Sequence, residues 1–184
     1  MVRKILIAIF AGSLISCGFY SLAGSIPPHI NSIAIPLVEN QTAEFGMAES
    51  VTDNLLASFT EENILRLADE NVADSILRGS IIRVDDRAQT FTGNEVVTEY
   101  RLTIQLDLEW YDVKNDVALL HKNYSGWGAY GLSGDISSDG IDNDGDGVLD
   151  ADDDDEFGEP RSYATRIAIE KIADEILNDI MTTW

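Results

Sequence analysis

Basic residues are scarce in this chain: 12 lysines and arginines stand against 33 aspartates and glutamates, a formal charge of −21. A surface that acidic repels a polyanion, which sets aside DNA or RNA as a partner. One cysteine, Cys17, occurs in 184 residues, so no intrachain disulfide can form. There are two histidines, His29 and His121, and neither has a nucleophile placed to make a dyad, so both read as ordinary polar positions. A glycine-rich phosphate loop between a strand and a helix is also lacking. The N-terminal apolar run, residues 5–11, is well short of the roughly 20 residues that cross a bilayer. These gaps argue against an enzyme and against a helical membrane protein. The length and the hydrophobic fraction of 45% fit one domain with a core of ordinary size, plus appendages.

What the chain does have is a long alternation. Over residues 100–110, Tyr100, Leu102, Ile104, Leu106, Leu108 and Trp110 share one parity, and Arg101, Thr103, Gln105, Asp107 and Glu109 share the other. Successive side chains of a strand point to opposite faces, so this is a strand with an apolar face and a wet face. The short run at Lys114, Asn115 and Asp116 turns the chain, and residues 117–127 return as a hairpin partner. Residues 75–84 read as another strand, with Gly79 marking a bulge or a close backbone approach, followed by a polar loop at 85–95. Residues 33–38 read as a short strand that Pro36 confines to an edge or an end. Residues 64–67 suggest a brief extended piece.

Two segments have helical period. Met47, Val51, Leu55 and Phe59 recur every four residues within 46–63. Ile169, Ile172, Ala173, Ile176, Leu177 and Ile180 form a wide stripe within 161–184, for which Ser162 is a candidate N-cap. The predicted fold is α+β: a two-layer sandwich of two helices on one mixed, largely antiparallel four-stranded sheet, in the order β-α-β-β-β-α. Both helices are expected to cover the apolar face of the 100–110 strand.

At the N-terminus, Arg3 and Lys4 precede the apolar run, which ends in Leu14, Ile15, Ser16, Cys17 and Gly18. This pattern resembles a signal-peptide core closed by a bacterial lipobox, in which the cysteine is cleaved at its amine side and lipidated. The expectation is a signal peptide at 1–16, a covalent lipid on Cys17 and a tether at 17–31. Gly18 stands where an aspartate would commonly retain a lipoprotein in the inner membrane, so the outer membrane is expected. Three acyl chains exceed what stable anchoring requires.

Between 131 and 160 every ionisable side chain is acidic, and Asp142, Asp144, Asp146 and Asp150 fall at positions 1, 3, 5 and 9 of a loop with Gly147 at position 6. That is the spacing of an EF-hand-type loop, in which calcium takes six to eight oxygens and glycine permits the sharp turn. Val148 would offer its backbone carbonyl, Leu149 would anchor the loop to a core, and Asp153, an aspartate where glutamate is usual, or another acid such as Glu156 would close the site. Since no helix is evident before it, the loop is nearer to a thrombospondin-type or dockerin-like calcium loop. A structural calcium ion is expected, held by Asp142, Asp144, Asp146, Val148, Asp150 and Asp153.

The lipobox with Gly18, Phe19 and Tyr20, the stretch 32–42, the stretch 73–81, the run Tyr124, Ser125, Gly126, Trp127, Gly128, Ala129 and Tyr130, and the last helix together resemble the LPS-assembly lipoprotein family (LptE). The resemblance covers 32–130 and 161–184 and leaves 131–160 as an insertion. It implies a non-enzymatic outer-membrane lipoprotein on the periplasmic side that plugs a large β-barrel translocon, assists its assembly and takes part in lipopolysaccharide transport. Binding an anionic lipid calls for cations, and Arg78, Arg83 and Arg101, with Arg87 and Lys122, are the candidates. A second reading, from a different class, is a free periplasmic calcium-binding lipoprotein with a scaffolding or adhesion role.

Overall fold

The computed structural model describes residues 26–91, 93, 97–131, 136–149 and 158–182. Cys17 and the expected signal segment lie outside the described residues, as do Asp150 and Asp153. The elements are β1 (Ser32–Ala34), β2 (Glu39–Asn40), α1 (Met47–Glu62), β3 (Arg66–Leu67), β4 (Ser75–Phe91), β5 (Val97–Asp112), β6 (Val117–Tyr130), a 3₁₀ turn (Ile136–Ser138) and α2 (Pro160–Thr182). No helix among the described residues is long and apolar enough to cross a membrane.

The sheet has six strands rather than the four expected. They run in the order β3-β1-β4-β5-β6, with β2 also paired to β4. The extra strands come from two places. The expected strand at 33–38 is split: Ile33 and Ala34 pair with Ser75 and Ile76, Glu39 and Asn40 pair with Ser80 and Ile81, and Pro36, which has no N–H to give, sits in the gap. The brief extended piece is β3, which pairs in parallel with β1. The expected polar loop at 85–95 is also corrected, because β4 continues through Phe91 against β5. Residues 85–91 of β4 are exposed or half-buried on both faces, so neither carries an apolar alternation.

The alternation of β5 is realised: Leu102, Ile104, Leu106, Leu108 and Trp110 are all buried, and the residues between them are partly exposed. α2 lies across β6 and β5, whereas α1 packs against α2 and the short strands β2 and β3. The cover of β5 is therefore chiefly α2, with the two helices sharing one apolar cluster. α2 comes close because β6 presents Gly126 and Gly128 towards it; a Cβ on either would collide with the main chain of Ala168 or Ala164. Pro160 opens this helix, where its missing N–H costs nothing. The capping carboxylate is Glu159, which accepts from the Ser162 amide at 2.7 Å, so Ser162 lies inside the helix and is not its cap.

The start of the described chain is fastened to the hairpin turn. Asp112, 1% exposed, accepts from the His29 ring at 2.7 Å and from the Asn115 amide side chain at 2.8 Å. Burial alone would raise the Asp112 carboxyl, but the Asn115 main chain, the His29 ring and the Asn115 side chain hold it below its ordinary value.

Candidate functional site

Two regions of the surface hold the residues singled out in the sequence: the acidic loop beside β6, and the face of the sheet not covered by helices.

In the loop, carboxylate oxygens of Asp142, Asp144 and Asp146 lie within 4.8 Å of one another. The chain turns tightly around them. Asp142 accepts from the amides of Gly145 at 2.6 Å and Gly147 at 3.0 Å. Asp144 accepts from the Asp146 amide at 2.9 Å, and Asp146 from the Val148 amide at 2.7 Å. Gly147 has φ of +95°, a left-handed conformation that a side chain would oppose. These three carboxylates are the part of the expected calcium set that the described residues bring together.

The loop is not anchored as expected. Leu149 is 51% exposed, and the anchor is Asn143, fully buried. Its side-chain amide donates to the Ala129 carbonyl at 2.9 Å, and its carbonyl accepts from the Ala129 amide at 2.9 Å. Ala129 belongs to β6, the edge strand, so the loop occupies part of the edge that β5 leaves open. Ile136 secures the other end, packing with Tyr163 and Ile167 of α2. Lys171 of α2 donates to the Asp144 carbonyl and stands 4.0 Å from the Trp127 ring centre, while Arg101 stands 4.1 Å from the same ring. Burial lowers the Lys171 ammonium, against the pull of Asp144 and Asp142. The sequence assigned no role to Asn143 or Lys171 and placed Trp127 only in the hairpin and the family resemblance, because their contacts depend on the register of β6 and on where α2 crosses it.

On the open face, the expected cations separate. Arg83, Arg87 and Arg101 line one groove of about 350 Å³ with Asp85, Gln89, Thr103 and Gln105. Asp85 takes Arg83 at 2.7 Å and Arg87 at 3.1 Å. Arg78 is elsewhere: it approaches Glu70 at 3.5 Å and lies 5.8 Å from the Tyr111 ring centre. It lines a second groove, about 440 Å³, with Pro36, Leu37, Glu39, Asp107, Glu109 and His121. Lys122 turns to the helical side, where Glu175 and Asp179 each take its ammonium at 2.7 Å and raise it. The histidines also stay apart, His29 on Asp112 and His121 on Asp107 at 3.0 Å.

Several solved structures are similar to this chain at low identity. A minor lipoprotein from Acinetobacter baumannii is 18% identical, with 84% of this chain and 92% of that one covered and a TM-score of 0.47. Protein XCC0632 from Xanthomonas campestris is 11% identical over 86% and 90% of the two chains, with a TM-score of 0.49. Rare lipoprotein B from Shewanella oneidensis is 13% identical over 56% and 70%, with a TM-score of 0.36. No curated protein sequence matches at a significant level. A family model described as LptE, lipopolysaccharide-assembly, matches residues 30–183, from the last residues before β1 through the end of α2. That match spans both layers of the sandwich, and the chain therefore belongs to the LptE lipopolysaccharide-assembly family.

Proposed function

We propose that this protein is an outer-membrane lipoprotein, anchored through Cys17 on the periplasmic side, that plugs the β-barrel lipopolysaccharide translocon and assists its assembly. The role is non-enzymatic. The observation that carries the reading is the family match across the whole described fold. Co-purification tests it: the tagged, lipidated protein is expected to bring a large barrel subunit out of detergent-solubilised outer membranes. Recovery without any barrel would overturn the reading and favour a free periplasmic lipoprotein. Cys17→Ala is expected to move the protein from the membrane to the soluble fraction. Lipopolysaccharide contact through Arg78, Arg83 and Arg101 is the other assignment open to these side chains, and the separation of Arg78 from Arg83 and Arg101 counts against it. Unchanged lipopolysaccharide binding after reversing all three charges would remove it.

A structural calcium ion in the loop is proposed alongside. The convergence of Asp142, Asp144 and Asp146 supports it, with Asp150, Asp153 and the Val148 carbonyl as the remaining ligands named from the spacing. Titration calorimetry on the full protein is expected to show binding by millimolar calcium, and an absence of heat would sink the site.

A further inference from the structure

The uncovered face of the sheet is graded in charge along its strands. At one end, Glu39, Asp107 and Glu109 share the larger groove. Their placement follows from the ladder, since Glu39 pairs with Ser80, Ser80 with Asp107, and Glu109 with His121, all on the same side of the sheet. At the other end, Arg83, Arg87 and Arg101 share a groove in which Asp85 is the only acid among the described residues. From Glu109 to Arg101 is eight residues of one strand, about 27 Å at the usual rise. The middle is neutral and polar: Thr103 and Gln105 on β5, Asn123 and Ser125 opposite on β6.

Three features set this face apart from an ordinary solvated surface. A chain with 12 basic residues among 33 acids has put three of its arginines into one groove. At the acidic end, Arg78 lines the same groove, 3.5 Å from Glu70 and 5.8 Å from the Tyr111 ring centre, and the three carboxylates outnumber it. Between the two ends, the register of β4 against β5 slips at Ile81 and Arg83. The residue inside the slip, Ile82, is 39% exposed and lines a third groove with Asp107, His121, Lys122 and Asn123. Bulges re-aim side chains, and this one places an apolar contact between the two charged ends. Glu99 lies beyond the basic end, bonded to Thr90, and the acidic loop flanks it past Trp127.

We propose that this face is a charge-polarised docking surface for a protein wall whose charges run in the opposite order, with lysine or arginine side chains facing Glu39, Asp107 and Glu109 and carboxylates facing Arg83, Arg87 and Arg101. The inference rests on the barrel-partner reading and adds which surface meets the partner and in which direction it lies. Complementary charge of this kind fixes register and rejects the reversed orientation more than it adds affinity, because like charges placed opposite one another cost several kcal/mol. The polar interior of a membrane barrel can carry such a pattern.

The test uses the full lipidated protein co-expressed with its barrel subunit. Three sets of variants are compared with the parent protein: Glu39→Lys with Asp107→Lys and Glu109→Lys; Arg83→Glu with Arg87→Glu and Arg101→Glu; and Glu49→Lys with Asp53→Lys and Glu61→Lys on α1. Each of the first two is expected to retain at least about tenfold less barrel, corresponding to about 1.4 kcal/mol, and the α1 set to match the parent. Neutral versions (Gln or Asn at the same positions) accompany them, with melting temperatures measured, so that loss of fold is separated from loss of docking. Full retention by both reversed sets overturns the polarity while leaving the family reading intact. Equal loss from the α1 set also overturns it, since charge anywhere would then matter. If the arginine set loses lipopolysaccharide but keeps the barrel, that end faces lipid and the inference fails. A parent protein that retains no barrel removes the reading beneath it, and the inference with it.

Discussion

Asn143 grips Ala129 at both of its outward-facing backbone groups, carbonyl to amide and side-chain amide to carbonyl, each at 2.9 Å. One buried side chain thus fastens the acidic loop to the edge of β6. Asn143→Ala removes the donor and leaves the Ala129 carbonyl buried without it. The expected cost is about 1–3 kcal/mol, read as a lower urea midpoint with an unchanged slope. An unaltered midpoint would show that the loop is not fastened there.

The approach of α2 to the sheet depends on missing side chains. At Gly128 an added Cβ would meet the main chain of Ala164, which a rotamer change cannot relieve. Gly128→Ala is expected to destabilise by about 3 kcal/mol, the upper part of the range for overpacking. Gly93, with nothing within 4 Å of an added Cβ, is the control and should tolerate alanine. Thermal unfolding of the two variants side by side checks the difference.

Asp112 makes stability depend on acid. Its carboxyl is held below the ordinary value in the folded protein, so its contribution is complete above an unfolded pKa of about 3.9 and is lost as the pH falls through the lower folded value. Asp112→Asn removes that contribution at neutral pH and has little left to remove in strong acid. The gap in unfolding free energy between the parent and the variant is expected to be widest near pH 7 and to narrow below about pH 4. A gap that does not change with pH would assign Asp112 a packing role instead.

Calcium, if held by the loop, binds the folded state and raises the melting temperature. At a free concentration 100 times the dissociation constant the gain is about 2.7 kcal/mol. The rise is expected to reverse with chelator and to vanish in Asp142→Asn with Asp144→Asn. A chelator-insensitive melting temperature would contradict the proposal.

How far the sequence could be read follows from which elements face both oil and water. β5 and α1 were legible because each is apolar on one side and polar on the other, so the period of the pattern gives the element and its buried face together. The far half of β4 was not, because both faces of residues 85–91 are wet. Only pairing with β5 makes that stretch a strand. β1, β2 and β3 are two or three residues long, too short to show a period at all.

The sequence by itself determined the α+β class, the hairpin of β5 and β6, the two amphipathic helices and the spacing of acids in the loop, because each is a local pattern. Tertiary structure alone decided which arginines stand together, that Lys122 turns away from them, and that Asn143 rather than Leu149 holds the loop. Those outcomes depend on the register of β4 and β6 against β5 and on where α2 crosses β6. Register is a relation between segments distant in the chain, and a one-residue slip would send each of these side chains to the other face.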